Sequence, residues 1–190
     1  VVKEMTDLMS LDLVDKGLVT DQIVLTIGYD IDNLTDPARK KRYKGAVTTD
    51  RYGRKVPKHA HGTINLKRQT SSKQTSSSKQ MTEAVLELYD RIVDKDLLIR
   101  RINITANKLA DEHTVANDDA YEQLDFFTDY EAVKKQREKE EADLDRERHM
   151  QEAMLSIKKK YGKNAILKGT NFEEGATSID RNQRIGGHKA

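Results

Sequence analysis

Gln22-Ile23-Val24-Leu25-Thr26-Ile27-Gly28-Tyr29 puts Ile23, Leu25 and Ile27 on one side of an extended chain and Val24, Thr26 and Gly28 on the other. Successive side chains of a strand leave on opposite faces, so this spacing predicts a strand with one wholly apolar face that has to be covered. The same period recurs twice. Over residues 60–67, Gly62, Ile64 and Leu66 share one face and His61, Thr63, Asn65 and Lys67 the other; over 97–106, Ile102 and Ile104 point inward and Arg101, Asn103 and Thr105 outward. Two helices supply the cover. Val2, Met5, Leu8, Met9 and Leu13 fall near one helical face of residues 1–17, with Gly17 at the C-cap. Met81, Ala84, Val85, Leu88 and Ile92 repeat at helical spacing behind a Ser77/Gln80 capping box. The order helix, strand, strand, helix, strand predicts an α+β fold over residues 1–110. It is an antiparallel sheet with two helices on one face and, on the other, Asn, Thr, Arg and Lys open to solvent or a ligand.

Composition limits the rest. At 190 residues, with 36% hydrophobic and 35% charged side chains, the chain has room for one domain with a modest core and solvated extensions. It has no Cys, which excludes disulfides and thiolate metal sites and fits a reducing cytosol. No apolar run approaches membrane-spanning length, so no membrane partner is expected. The chain begins at Val1 rather than Met, from which we expect it to be the tail of something longer.

The net charge of +2 conceals an asymmetry. Between Asp36 and Lys79 lie thirteen basic residues against Asp36 and Asp50, a local +11 that leaves −9 for the remainder. Arg39, Lys40, Lys41, Arg42, Lys44, Arg51, Arg54, Lys55 and Lys58 belong to a polar excursion over residues 30–58, broken by Asp32-Asn33, Asp36-Pro37 and Tyr52-Gly53 turn pairs. Loops of this length are functional or disordered. A basic block inside an acidic chain reads as a footprint for a polyanion, most economically nucleic acid, with a solvated lysine-rich loop as the alternative. Lys67 and Arg101, on the polar side of their strands, would join it as phosphate contacts.

Downstream, residues 69–79 form an apolar-free Ser, Thr, Gln and Lys tract that reads as flexible, and 111–130 an acidic linker. The linker contains Gln123-Leu124-Asp125-Phe126-Phe127, two of the chain's three phenylalanines in a polar setting. They are either an anchor for a partner's pocket or side chains that fold back on the preceding domain. Residues 131–162 read as one helix, charged at first with i,i+4 pairs such as Glu131 with Lys135, then amphipathic through Met150, Met154, Ile157 and Tyr161, ended by Gly162. That apolar face is a candidate docking site for a further partner, and residues 163–190 form an irregular tail. No catalytic constellation is legible. His59 and His61 share a strand face, but two histidines without a third ligand predict surface or phosphate-contacting residues rather than a metal site.

The stretches 22–30, Thr48-Thr49-Asp50-Arg51-Tyr52-Gly53-Arg54, Lys58-His59-Ala60-His61-Gly62-Thr63 and Arg101-Ile102-Asn103-Ile104-Thr105 resemble the C-terminal part of Y-family DNA polymerases of the UmuC/ImpB/MucB/SamB translesion branch. Gln123, Leu124, Phe126 and Phe127 resemble the sliding-clamp-binding peptide of bacterial polymerases and repair proteins, with Phe126 where Leu is usual. The resemblance implies a little finger domain lying against template-primer duplex DNA, a clamp-binding linker and a C-terminal extension. It also implies DNA repair by translesion synthesis in the SOS response and a bacterial cytoplasmic location. The family's domain opens with a strand before its first helix. Here that strand is missing, together with the palm, fingers and thumb, and an apolar strip of Ile23, Ile64 and Ile102 is expected to be left uncovered. The intact family enzymes use Mg; the catalytic carboxylates have no matching position here, so this chain is expected to hold no cofactor and to be inactive alone as a nucleotidyltransferase. The alternative is a stand-alone clamp-binding interaction protein without DNA contact, which has no use for the local +11.

Overall fold

The computed structural model describes residues 1–66, 75–115, 130–185 and 188–189. In chain order the elements are α1 (Val2–Asp15), β1 (Leu18–Val19), β2 (Gln22–Tyr29), α2 (Asp32–Thr35), α3 (Pro37–Arg42), β3 (Val47–Thr49), β4 (Lys55–Pro57), β5 (Ala60–Asn65) and α4 (Ser78–Ile92). There follow β6 (Ile99–Asn107), β7 (Ala110–Asp111), α5 (Glu112–Val115), α6 (Tyr130–Tyr161), a 3-10 turn (Gly169–Phe172), α7 (Ser178–Asn182), β8 (Arg184–Ile185) and β9 (His188–Lys189). The fold is α+β, as the alternation predicts.

The central sheet is antiparallel in the order β5-β2-β6. Its register stacks Ile23 with Ile64 and Ala106, Leu25 with Gly62 and Ile104, and Ile27 with Ala60 and Ile102. These rows face α1 and α4, where Ile23, Leu25, Ile27, Met81, Val85 and Leu88 are fully buried. The expected uncovered strip does not exist: Ile23 and Ile64 are buried and Ile102 is half-buried, because the two helices lie over all three strands. Gly62 is what lets α4 approach, since a Cβ there would meet Leu88 Cδ1 at 2.9 Å. The Ser77 hydroxyl accepts from the Gln80 amide and starts α4, half of the predicted capping box. α1 stops at Lys16, with Gly17 taking the left-handed turn (φ +65) that other residues resist. After Lys108 (φ +51) the chain pairs again as β7 with β1, extending the β2-β6 ladder.

The reading of α1 needs correction. Leu8 is exposed, while Glu4, Thr6 and Ser10 are buried together with Val2, Leu11, Leu13 and Val14. Burial on both sides follows from a second layer. The charged helix α6 packs on the rear of α1, and the tail closes over its N-terminal end. Leu11, Val14 and Met154 are buried yet stand outside the cluster between sheet and helices, so they belong to this rear layer. The last residues of the polar tract before α4 are also ordered. Thr75 exchanges backbone hydrogen bonds with Thr20, and Ser76, Ser77 and Ser78 are buried.

Candidate nucleic-acid interface

The outward rows of the sheet are Gln22 with Asn65 and Asn107, Val24 with Thr63 and Thr105, Thr26 with His61 and Asn103, and Gly28 with Arg101. His61, Thr63, Asn65, Arg101, Asn103 and Thr105 are exposed, so the polar face is open, as the period-two pattern predicts. Cross-strand bonds order it: Gln22 Nε2 donates to Asn65 Oδ1 at 2.9 Å, and Thr26 Oγ1 lies 2.9 Å from His61 Nδ1. The register slips between Gly28 and Tyr29, opposite Arg101 and Ile99, which leaves Arg100 as the extra residue of a bulge. Arg100 turns to Asp30 at 3.4 Å, and Arg101 is left exposed on the face.

The excursion over residues 30–58 is folded, not a disordered loop. Its root is Asn33, fully buried, whose side chain donates to the Asp30 and Leu98 carbonyls and accepts from the Leu98 amide, each at 2.9 Å. Sequence reading missed this residue, seeing only a turn. Asp36 caps α3 through the Arg39 amide at 2.8 Å, and Pro37 follows at the first helical position. Lys40, Lys41 and Arg42 are exposed along α3 and Arg39 is half-buried, all in a last turn where cations suit the helix's partial negative end. Exposed Lys44 follows in a turn closed by Tyr43 Oη donating to the Ala46 carbonyl, to which the Lys58 amide also donates at 2.7 Å. Burial pushes the Tyr43 phenol up.

The hairpin β3-β4 carries Arg51, Tyr52, Gly53 and Arg54 at its tip, with exposed Lys55 and Lys58 just beyond. Asp50 organises the tip. Its Oδ2 accepts from Arg54 Nε (2.9 Å) and Nη2 (2.7 Å), and its Oδ1 accepts from the amides of Tyr52 (2.9 Å) and Arg54 (3.0 Å). The Arg54 side chain holds the Asp50 carboxyl below its ordinary range. Arg54 is thus paired with a carboxylate inside the tip, and Arg51 is exposed with its Nη2 donating to the Tyr52 hydroxyl. α2 packs on α3 and on β4, and β4 touches β2, so the structure gathers the predicted excursion residues on one folded unit and keeps Arg101 on the sheet. Lys67 and the clamp-peptide residues Gln123, Leu124, Phe126 and Phe127 lie outside the described residues. Among the described residues no group of three or more His, Cys, Asp or Glu could hold a metal ion, and no helix is long and apolar enough to cross a membrane.

The rear of α1 is occupied from within the chain. Glu4, 2% exposed, accepts from the Thr177 amide at 3.0 Å, the Ser178 amide at 3.1 Å and Asn171 Nδ2 at 3.2 Å. Burial alone would raise its carboxyl, but hydrogen bonds from the Ser178 side chain, the Thr177 amide, Asn171 and the Ser178 amide outweigh it and bring the pKa down from 4.5 to about 2. Gln151, also 2% exposed, donates to Ser10 Oγ (2.7 Å) and the Ser76 carbonyl (3.1 Å). Asp7 pairs with Lys168, Asp15 with Lys159, and Glu112 with Arg148 at 2.7 Å. Lys158 ties the end of α6 to the tail through the carbonyls of Lys163 and Ile166, and burial pushes its ammonium pKa down. The expected partner-docking face is therefore split: Met154 is buried, Ile157 is half-buried, and Met150 and Tyr161 face solvent.

Residues 1–126 match the impB/mucB/samB family C-terminal domain. The chain belongs to that family. It is a C-terminal part of a Y-family DNA polymerase of the UmuC/ImpB/MucB/SamB type, and its setting is DNA damage tolerance by translesion synthesis. The match ends at Phe126, so the likeness drawn for the tail lies beyond it. No curated protein and no solved structure matches the chain.

Proposed function

We propose that this chain binds template-primer duplex DNA through the open sheet face and the basic excursion, and docks on the sliding clamp of the replicative polymerase through Gln123, Leu124, Phe126 and Phe127. One observation carries the DNA reading. The basic stretch of net +11 between Asp36 and Lys79 includes an ordered unit, residues 36–58, next to a sheet face of exposed Asn, Thr, His and Arg. Lysines and arginines of this kind suit phosphates, so binding has little sequence preference and falls steeply with salt. The chain contributes binding and not nucleotidyl transfer, and its place is the bacterial cytoplasm during the SOS response.

Fluorescence anisotropy of labelled duplex DNA against salt tests the reading. Reversing Lys40, Lys41, Arg42 and Lys44 to Glu should lower the affinity by about a hundredfold and flatten the salt slope. A wild-type affinity that ignores salt would remove the DNA reading. In a parallel titration with purified clamp, Phe126→Ala with Phe127→Ala should abolish micromolar binding, each aromatic contributing about 2 kcal/mol at an interface hot spot, with duplex binding unchanged. Equal clamp binding by both proteins would return the two phenylalanines to a structural role.

A further inference from the structure

We propose that Tyr52, at the tip of the β3-β4 hairpin, stacks on an unpaired nucleobase of single-stranded DNA next to the duplex. The inference rests on the DNA-binding reading and adds a site to it.

Tyr52 is 65% exposed in a chain whose aromatic content is only 5%. The core does not use it. The guanidinium carbons of Arg51 and Arg54 lie 4.7 Å and 5.0 Å from its ring centroid, and Arg51 Nη2 donates to its hydroxyl. The result is a cluster of flat, polarisable groups bearing positive charge and projected into solvent. It is also held in advance of any ligand. Asp50 clamps Arg54 by two side-chain bonds and the turn by two more, the Asp50 amide donates to the Arg54 carbonyl at 2.9 Å, and Gly53 takes the positive φ of +78 that closes the turn. A preorganised cation-aromatic cluster loses little entropy on binding a planar ligand that carries negative charge beside it. A nucleotide has both parts: a π-face that adds to the stack of ring and guanidinium groups, and a phosphate for Arg51 or Lys55. Bases inside a duplex are already stacked and show no free face, which makes the ligand a single-stranded segment. An acidic peptide would engage the charges but leave the ring unused.

The chain has no Trp, so Tyr52→Trp installs a single fluorescent reporter in the full chain. The probes are a blunt duplex, the same duplex with a 5′ oligothymidine overhang, oligothymidine alone, and polyglutamate, with saturation followed by anisotropy of a label on the nucleic acid or peptide. We expect the overhang and oligothymidine to quench the introduced indole and polyglutamate to leave it unchanged. Tyr52→Ala should weaken overhang binding roughly tenfold more than it weakens blunt-duplex binding and leave the melting temperature as it is, and Tyr52→Phe should retain wild-type binding. Unchanged indole emission at saturating overhang DNA, equal losses on blunt and overhang duplexes, or equal responses to polyglutamate and DNA would each overturn the inference. Quenching by oligothymidine without blunt-duplex binding would sink the duplex reading and leave this one standing. Blunt-duplex binding with an indole that never responds would do the reverse.

Discussion

The open face of the β5-β2-β6 sheet and the rear of α1 carry the same kinds of side chain and use them in opposite ways. On the sheet, His61, Thr63, Asn65, Asn103 and Thr105 stay exposed. On α1, Glu4, Thr6 and Ser10 are buried, Ser10 under Gln151, 141 residues along the chain, and Glu4 under Ser178, 174 residues along. A polar stripe becomes a ligand surface only if nothing of the chain's own lies on it. Where something does, each donor and acceptor has to be matched, because an unmatched buried group costs about 1–3 kcal/mol. At the rear of α1 Glu4, Ser10 and Gln151 meet that demand, and Arg181 Nη2 stands 3.6 Å from Glu4 as an ion pair without a hydrogen bond; the sheet face has no need to.

The largest effect should come from the rear. Glu4→Ala leaves the Thr177 and Ser178 amides without their acceptor and should lower stability by about 3 kcal/mol, with DNA affinity unchanged. The same carboxylate sets a pH dependence. Its pKa is lower folded than unfolded, so its contribution is complete above about 4.5 and is lost as the pH falls through about 2. Urea unfolding at stepped pH should show wild type losing about 3 kcal/mol across that window beyond whatever Glu4→Ala loses. Parallel curves for the two proteins would mean that the tail is not held by Glu4.

Gln151→Ala is next. It removes the buried amide that donates to Ser10 and the Ser76 carbonyl and should cost about 2 kcal/mol, read as a drop in denaturation midpoint with an unchanged slope. A cost near zero would show that α6 lies loosely on α1, and the contrast between the two surfaces would weaken. The smallest stability effect belongs to the front. Arg101→Ala, on an exposed side chain, should stay within about 0.5 kcal/mol in stability yet reduce the salt slope of duplex binding by about one phosphate contact. A larger loss of stability than of binding would make the sheet face structural.

What the sequence determined by itself is periodic and local. Alternation at Ile23, Leu25 and Ile27, at Gly62 and Ile64, and at Ile102 and Ile104 was enough to orient all three strands, since a one-residue slip would turn every apolar side chain to water. Gly17 and Ser77 marked helix ends through capping chemistry that acts within a few residues. The tertiary structure decided whatever depended on partners far along the chain. Nothing near Asn33 shows that its amide will hold Leu98, and nothing near Glu4 that Thr177 and Ser178 will bury it. The apolar spacing of Met150, Met154, Ile157 and Tyr161 pointed to a docking face, yet among the described side chains of α6 Gln151 is buried most deeply. Hydrophobic periodicity records which side chains avoid water. It is silent on polar side chains that leave water because a matching polar surface, more than a hundred residues away, replaces it.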